Sequence, residues 1–211
     1  MAALGREVDA RPPMQYLLES LVNIKVQDPF DGDQVEALVS LGQRAWVQAY
    51  RGLALHRDTG APLTLEECHR FVNTRYRRRM LGHWTTMPGE NVVRLVTYAW
   101  NENASSCTDH VVGYLEFHGQ ELAGFYVDPL FQGRGYGRRL LEAALMLGFG
   151  DRPITVQTTR DSDAHRLVYP ALGFIPTNRE VPPASSTGNV GPSFTLHQVE
   201  LIRPANARAD M

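Results

Sequence analysis

The stretch that decides the fold is ELAGFYVDPLFQGRGYGRRLLEAALML, residues 121–147. It begins with a short apolar run, Leu122 to Val127, of the kind that forms a buried strand. Asp128 and Pro129 end this run, because proline removes a ladder donor and aspartate favours turns. The glycine-rich sequence QGRGYG follows at residues 132–137, and a leucine- and alanine-rich segment comes next. The pattern predicts a strand, a glycine loop and a helix N-terminus.

A strand, a glycine loop and a helix start in this order form a socket for phosphate oxygens. The first helical turn leaves about four backbone N–H groups unpaired and carries a partial positive charge. Glycines let this backbone approach a ligand closely, and Arg134, Arg138 and Arg139 add cationic donors. Two common phosphate motifs are excluded. The dinucleotide fingerprint G-x-G-x-x-G has Arg138 in place of its third glycine, and the G-K-[ST] of a P-loop is missing.

The loop resembles motif A of the GCN5-related N-acetyltransferase (GNAT) superfamily, Q/R-x-x-G-x-G/A, through Gln132, Gly135 and Gly137. In that family the loop holds the pyrophosphate of acetyl-CoA. The resemblance implies acetyl-CoA as co-substrate and no metal. It also implies that the backbone of one strand pairs with pantetheine and that one N–H there polarises the thioester carbonyl. The implied coenzyme contacts are Phe125, Tyr126, Val127, Gln132, Gly133, Arg134, Gly135, Tyr136, Gly137, Arg138 and Ser162.

A second match is LVYPALGF at residues 167–174, which resembles the family signature F/L-Y-x-x-L-G-F. The tyrosine of that signature protonates the leaving thiolate, so Tyr169 is the expected general acid. Pro170 departs from the signature and is expected to kink the helix. Ser162 stands seven residues before the tyrosine, where many members carry an asparagine that bonds the pantetheine arm.

A general base is expected at Glu121, which lies 11 residues before Gln132. Several members of the family carry a glutamate at this spacing. Because an amine is mostly protonated at neutral pH, a nearby carboxylate that takes its proton assists the attack. Glu116 and His118 on the preceding strand are alternative bases.

The order of the predicted elements is also that of the superfamily. It implies a single-domain α/β GNAT fold over residues 21–211, after an N-terminal arm at 1–20. The expected sheet is mixed, with about seven strands flanked by about four helices, and residues 118–120 close a hairpin. Asp33 with Glu36, and Thr64 with Glu67, resemble capping boxes. Strands are predicted at 21–27, 91–100, 110–118, 122–127, 154–159, from 174 onward and at 193–202, and helices at 34–52, 65–80, 138–149 and 161–172. Loops are predicted at 101–109, between the second and third strands, and at 182–192, between the last two strands.

The composition excludes several classes of protein. A net charge of −2 argues against a nucleic-acid or membrane surface. The first 20 residues carry no apolar leader, and no stretch is long and apolar enough to span a membrane. The two cysteines, Cys68 and Cys107, form neither a disulfide framework nor a metal pattern. A cytoplasmic location is therefore expected.

The sequence does not name the acceptor amine. A protein N-terminus, a lysine, a polyamine, an amino sugar and an amino acid all stay open, as does a homodimer. A non-catalytic acyl-CoA sensor with the same pocket is an alternative function. The arginine-rich run at 75–79 could bind an acidic acceptor, the 3′-phosphate of the coenzyme or RNA, although a solvated helix face is the simpler interpretation. Cys107 could serve a ping-pong route, but no histidine partner for it is visible.

Overall fold

A computed structural model describes residues 24–26, 32–86, 89, 91–99, 110–186 and 194–205. The predicted arm at 1–20 and the predicted loop at 101–109, with Cys107, lie outside the described residues. In the described part of the chain, no helix is long and apolar enough to cross a membrane.

Seven strands form the central sheet. All neighbouring pairs are antiparallel except β5 and β6, which are parallel. The prediction of a mixed sheet of about seven strands is thus confirmed, and so is the hairpin between β4 and β5. The spatial order is β1 (Ile24–Val26), β3 (Val92–Tyr98), β4 (Val111–His118), β5 (Glu121–Val127), β6 (Ile154–Thr159), β10 (Gln198–Arg203) and β7 (Ile175–Glu180).

A second, three-stranded sheet was not expected from the sequence. It consists of β2 (Leu55–His56), β9 (Phe194–Leu196) and β8 (Ala184–Ser186), in that order. The single strand predicted at 193–202 is wrong, since the chain leaves one sheet and joins the other at His197. The predicted loop at 182–192 is also wrong in part, because it contains β8. Alternation of apolar residues reveals a strand but not a change of sheet, and β2 and β8 are too short to give a pattern.

The helices lie on both faces of the central sheet, and their bounds are α1 (Gly32–Tyr50), α2 (Leu65–Phe71), α3 (Arg77–Thr85), α4 (Tyr136–Met146) and α5 (Tyr169–Ala171). A π-helical turn, Val72–Tyr76, joins α2 to α3, so that the predicted second helix bends there. Thr64 and Glu67 form the predicted capping box at α2. The box predicted at Asp33 is wrong, since α1 begins at Gly32 and Glu36 instead binds Arg77.

Three hydrophobic clusters connect these layers. One packs α4 against one face of β3, β4, β5 and β6, with Leu115, Leu140 and Ile154 at its centre. Another packs α1 and α3 against the opposite face, through Leu38 and Trp84. The last joins α1 and α2 to β9 of the small sheet, and its members are Trp46, Ala54, Leu63, Cys68, Phe71, Val72, Tyr76, Phe194 and Leu196. The small sheet therefore packs against the helices that cover the α1 face of the central sheet.

Gly42 offers a test of the packing between α1 and the π-helical turn. A Cβ at Gly42 would lie 2.3 Å from the Tyr76 hydroxyl oxygen, whereas one at Gly82 would meet nothing within 4 Å. We expect Gly42→Ala to lower the free energy of unfolding by about 1–3 kcal/mol through overpacking. In a chain of this size each kcal/mol corresponds to a decrease in Tm of roughly 2–4 °C.

The matched control is Gly82→Ala, which should be neutral or stabilising by up to about 1 kcal/mol, because alanine has the higher helix propensity. Adding Tyr76→Phe to Gly42→Ala removes the oxygen that clashes and should restore most of the loss. If both alanine variants have the same Tm, the close packing at Gly42 is refuted.

Candidate active site

The site begins where β5 and β6 separate. These parallel strands meet at one residue pair, Glu121 with Thr155, next to a hydrogen bond of 3.0 Å from the Thr155 N–H to the Gln120 carbonyl. Further along, Phe125 to Val127 pair with β4 on their other side. Within the described residues, this part of β5 has no strand partner on the β6 side. A V-shaped opening results, with its vertex at Glu121 and its mouth at the end of β5.

The glycine loop lies at the mouth of this opening. Gly133 and Gly135 have φ of 72° and 84°, and Gly135 is the N-cap of α4. The N–H of Arg139 is bonded to the Gly135 carbonyl at 3.1 Å. The preceding N–H groups, of Tyr136, Gly137 and Arg138, point out of the helix end as anion donors. A Cβ on Gly137 would lie 3.2 Å from the Phe125 ring, so the third glycine permits close packing of helix on strand.

Side chains of the loop are held by their neighbours. The Gln132 amide donates to the Val127 carbonyl at 3.1 Å and accepts from the Gln48 amide at 3.1 Å. The Arg138 guanidinium pairs with Glu142 at 3.1 Å, and the Arg134 guanidinium lies 5.2 Å from the centre of the Phe131 ring. The backbone donors, rather than these side chains, are therefore the readiest anion ligands.

Sequence reasoning missed the anchor of the loop on α1. Asp128 is fully buried, and its carboxylate accepts from the Leu130 N–H at 3.0 Å and from the Arg44 Nε at 3.1 Å. Arg44 and Gln48 are one turn apart on α1, so that one face of this helix fixes both ends of the turn after β5. The signal in the sequence was Asp128, because a buried carboxylate needs a cationic partner, but nothing local identifies Arg44 as that partner.

Tyr169, the expected acid, lies at the start of α5. A π-helical turn, Ala164–Val168, directly precedes it, and Pro170 lies in the first turn of α5, where a missing N–H is tolerated. The kink expected at Pro170 stays a prediction. The Tyr169 ring packs against the rings of Phe125 and Phe174, with centroids 6.3 and 5.4 Å away. Burial raises the pKa of Tyr169, and the nearby Tyr50 raises it further. The phenol therefore keeps its proton at neutral pH, as a general acid must before it donates.

Glu121, the expected base, is exposed at the vertex of the opening. It pairs across the hairpin with His118, so both side chains lie on the α1 face of the sheet. The imidazole Nε2 of His118 is 2.6 Å from the Glu116 carboxylate. The two alternatives named from the sequence, Glu116 and His118, thus form a bonded pair beside Glu121.

Glu116 itself is bonded to basic side chains on three sides. Its carboxylate accepts from the buried Arg94 Nε at 2.8 Å and lies 2.8 Å from the His83 Nε2, in addition to its contact with His118. Burial alone would raise the pKa of Glu116, but the hydrogen bonds and charges of His83 and Arg94 outweigh it and lower the pKa to about 2. Such a carboxylate accepts a proton poorly. It orients its neighbours instead.

The remaining expected residues have structural partners. The Ser162 hydroxyl donates to the Thr159 carbonyl at 2.7 Å and accepts from the His165 N–H at 3.1 Å, so its proton is engaged elsewhere than toward pantetheine. In the arginine-rich helix, Arg77 pairs with Glu36 at 2.8 Å, which supports the interpretation as a solvated face. In the described part of the chain, no group of three or more histidine, cysteine or acidic side chains could hold a metal ion.

Glu116 generates a prediction on acid stability. Its pKa in the folded chain, about 2, lies below the ordinary value of 4.5. The stabilisation from the ionised carboxylate is therefore fully present above pH 4.5 and is lost as the pH falls toward 2. Glu116→Gln should lower the free energy of unfolding at pH 7 by about 3 kcal/mol, since it also leaves the buried Arg94 unpaired. The loss should shrink below pH 4.5.

Urea denaturation at a series of pH values measures this effect. The control is Glu66→Gln, which removes an exposed carboxylate 3.0 Å from Arg70 and should cost less than about 0.5 kcal/mol. Equal losses from the two variants at pH 7 would contradict the assignment.

Comparisons with known proteins agree with this geometry. Residues 95–176 match the model of the acetyltransferase (GNAT) domain, a range that covers β3 to β6, the glycine loop and Tyr169. No curated protein sequence matches the chain.

Three solved structures illustrate the likeness of fold. PaiA N-acetyltransferase from Thermoplasma acidophilum, in complex with coenzyme A, is 16% identical with a TM-score of 0.53, over 84% of this chain and 97% of that chain. A GCN5-related N-acetyltransferase from Rhodopseudomonas palustris is 13% identical with a TM-score of 0.51, over 84% and 92%. The apo form of YjaB from Escherichia coli is 19% identical with a TM-score of 0.50, over 85% and 97%. The chain thus matches the acetyltransferase (GNAT) domain over residues 95–176 and shares its fold with these three structures.

Proposed function

We propose that the protein transfers an acetyl group from acetyl-CoA directly to a primary amine. The observation that carries this proposal is the V-shaped opening between β5 and β6, which leads at its mouth to the glycine loop and the start of α4. An extended chain with phosphates at one end fits both features at once. The backbone of the opening can take the chain as an added strand, and the helix N-terminus can take the phosphates.

The coenzyme would bind chiefly through the backbone. The N–H groups from Gly133 to Arg138 would hold the pyrophosphate, with the Arg134 and Arg138 side chains at the rim. The β6-facing backbone of Phe125 to Val127 would pair with pantetheine, and one of its N–H groups would stabilise the oxyanion formed from the thioester carbonyl. Ser162 would act by capping the helical segment that carries Tyr169, in line with its bond to His165.

The chemistry needs a group to accept the proton of the amine and a group to protonate the leaving thiolate. As the C–N bond forms and the C–S bond breaks, Tyr169 would donate its phenolic proton to sulfur, a role that its burial beside Phe125 supports. Glu121 would take the proton of the amine, directly or through one water. His118, oriented by Glu116, is the alternative base on the same face.

A primary amine as acceptor, the arm at 1–20, a cytoplasmic location and a homodimer all stay predictions. The alternative of a non-catalytic acyl-CoA sensor shares the coenzyme site and differs only in turnover. The two variants below therefore separate binding from chemistry.

Gly135→Ala tests the coenzyme site. A side chain at its φ of 84° is strained and would crowd the donors of the α4 N-terminus. We expect the affinity for acetyl-CoA to fall at least tenfold in isothermal titration calorimetry, an energy on the order of 1.4 kcal/mol. Gly148→Ala is the matched control, because Gly148 follows the other end of α4 with a similar φ of 95°. The Gly148→Ala variant should lose comparable stability but keep its affinity for acetyl-CoA. An equal loss of affinity in both variants would exclude a coenzyme site at Gly135.

Tyr169→Phe tests the chemistry. The ring and its packing are kept while the acidic proton is removed, so kcat should fall about 10²-fold or more without a change in the Kd of acetyl-CoA. Glu121→Gln should lower kcat with the same retention of coenzyme binding. Release of CoA thiol in the presence of an amine mixture measures turnover. Full activity of the tyrosine variant would refute Tyr169 as the acid, and coenzyme binding without turnover in the unaltered protein would favour the sensor.

A further inference from the structure

Four tyrosines gather on the α1 face of the sheet, around the opening between β5 and β6. Tyr50 ends α1, Tyr76 lies in the π-helical turn, and Tyr114 and Tyr126 are directly opposite each other on β4 and β5. The rings of Tyr114 and Tyr126 are 5.3 Å apart. Burial raises the pKa of all four, and the hydroxyl groups influence one another: Tyr50 interacts with Tyr126, and Tyr76 with Tyr114. The cluster therefore presents neutral phenols.

This cluster reaches both sides of the opening and the expected acid. The Tyr50 hydroxyl lies near Tyr126 on β5 and Thr159 on β6, the two strands that separate. Tyr50 also raises the pKa of Tyr169. A group bound among these tyrosines would consequently lie beside the thioester of a coenzyme in the opening.

Two hydroxyl groups of the cluster have no hydrogen bond of good geometry among the described residues. Tyr76 is 8% exposed and Thr159 is 2% exposed. The Tyr76 Oη lies near the Tyr114 hydroxyl and the Thr159 Oγ1 near the Tyr50 hydroxyl, but neither contact has the geometry of a full hydrogen bond. Buried hydroxyl groups in folded proteins are nearly always bonded, so such a pair at one site indicates a missing ligand or water. An amine nitrogen fits this role, because its N–H groups can donate to hydroxyl oxygens.

The charges around the cluster limit what else the ligand can carry. The charge of the Glu116 carboxylate helps to raise the pKa of Tyr114, so Glu116 lies next to the cluster. Glu116 is already bonded to Arg94, His83 and His118. Arg79 adds a positive charge near Tyr76. A second or third ammonium group held among the four tyrosines would have, in the described part of the chain, no carboxylate beside it other than the engaged Glu116, since Glu121 lies at the vertex of the opening, and it would be costly to desolvate. A ligand with one amine and an apolar body is favoured.

The small sheet limits the size of the ligand. β9, which follows β7 and β8 in the chain, pairs with β2 between α1 and α2. Phe194 of β9 packs on Trp46 of α1 and Phe71 of α2, with ring centroids 5.6 and 4.8 Å away. Strand pairing with β2 and a core shared with α1 and α2 thus hold β9 against the helices of the α1 face. Since Tyr76 is 8% exposed and belongs to this packed cluster, a small ligand is favoured over the surface of a folded protein.

We propose that Tyr50, Tyr76, Tyr114, Tyr126 and Thr159 form the acceptor site, and that the acceptor is a small monoamine with an aromatic or otherwise apolar body. This inference rests on the proposed function. The rings enclose the body of the amine, and the Tyr76 and Thr159 hydroxyl groups accept its N–H hydrogens, which directs the nitrogen lone pair toward the thioester carbon. Polyamines and the surfaces of folded proteins are disfavoured as acceptors.

Calorimetric titration of 2-phenylethylamine into the full chain saturated with CoA tests the site without requiring turnover. We expect saturable binding that Tyr76→Phe and Thr159→Val each weaken by about five- to tenfold, the equivalent of one neutral hydrogen bond. Because the contacts of Tyr76 with Tyr114 and of Thr159 with Tyr50 lack the geometry of full hydrogen bonds, both variants should keep the Tm. Thr97→Val is the matched control. It removes another buried hydroxyl without a partner, but on the α4 face beside Leu140, and should leave amine binding unchanged.

A competition between acceptors gives the second readout. With acetyl-CoA, kcat/KM for 2-phenylethylamine should exceed that for spermidine and for a peptide with a free N-terminus by at least about tenfold. Preference for spermidine or the peptide would overturn the proposal, as would equal effects of the Thr97 and Thr159 variants. Absence of CoA binding would instead refute the proposed function itself, so the two failures are distinguishable.

Discussion

The separation of β5 from β6 after Glu121 is the constraint on which the rest of the structure depends. A strand in the middle of a sheet normally pairs on both sides, and backbone groups left without a partner are costly when buried. Here Phe125 to Val127 pair only with β4, in the centre of a seven-stranded sheet. The backbone groups of β5 that face this gap are therefore available to a ligand that can supply hydrogen bonds.

Helix α1 is the element that holds the gap open. Arg44 binds the buried Asp128, and Gln48 binds Gln132, whose amide in turn satisfies the Val127 carbonyl. On another face of the same helix, Trp46 packs against the small sheet and Tyr50 joins the tyrosine cluster. The same helix therefore fixes the phosphate loop and lines the proposed acceptor site. Both substrates would therefore contact residues positioned by one helix, α1, rather than by a loop.

The parts of the site that depend on local sequence could be predicted. Gly133 and Gly135 adopt positive φ, as glycine-rich turns require, and the strand before them and the helix after them follow from their periodicity. The parts that depend on distant residues could not. Asp128 and Arg44 are 84 positions apart, the change of sheet at His197 leaves the alternation intact, and Tyr50 and Tyr76 read only as apolar faces of their helices. Whether hydroxyl groups converge is decided by tertiary packing, which single-residue patterns do not encode.

The central claim is that the opening binds the coenzyme as an added strand, and amide hydrogen exchange tests it most directly. Exchange is followed with and without saturating acetyl-CoA. Slower exchange is predicted at Phe125 and Val127 and at residues 133–138, because N–H groups there gain partners. The Tyr126 N–H faces β4 and should change little, as should β3 at residues 92–98. Protection of the loop without protection of Phe125 and Val127 would contradict strand addition. Unchanged exchange in both segments would contradict coenzyme binding at this site altogether.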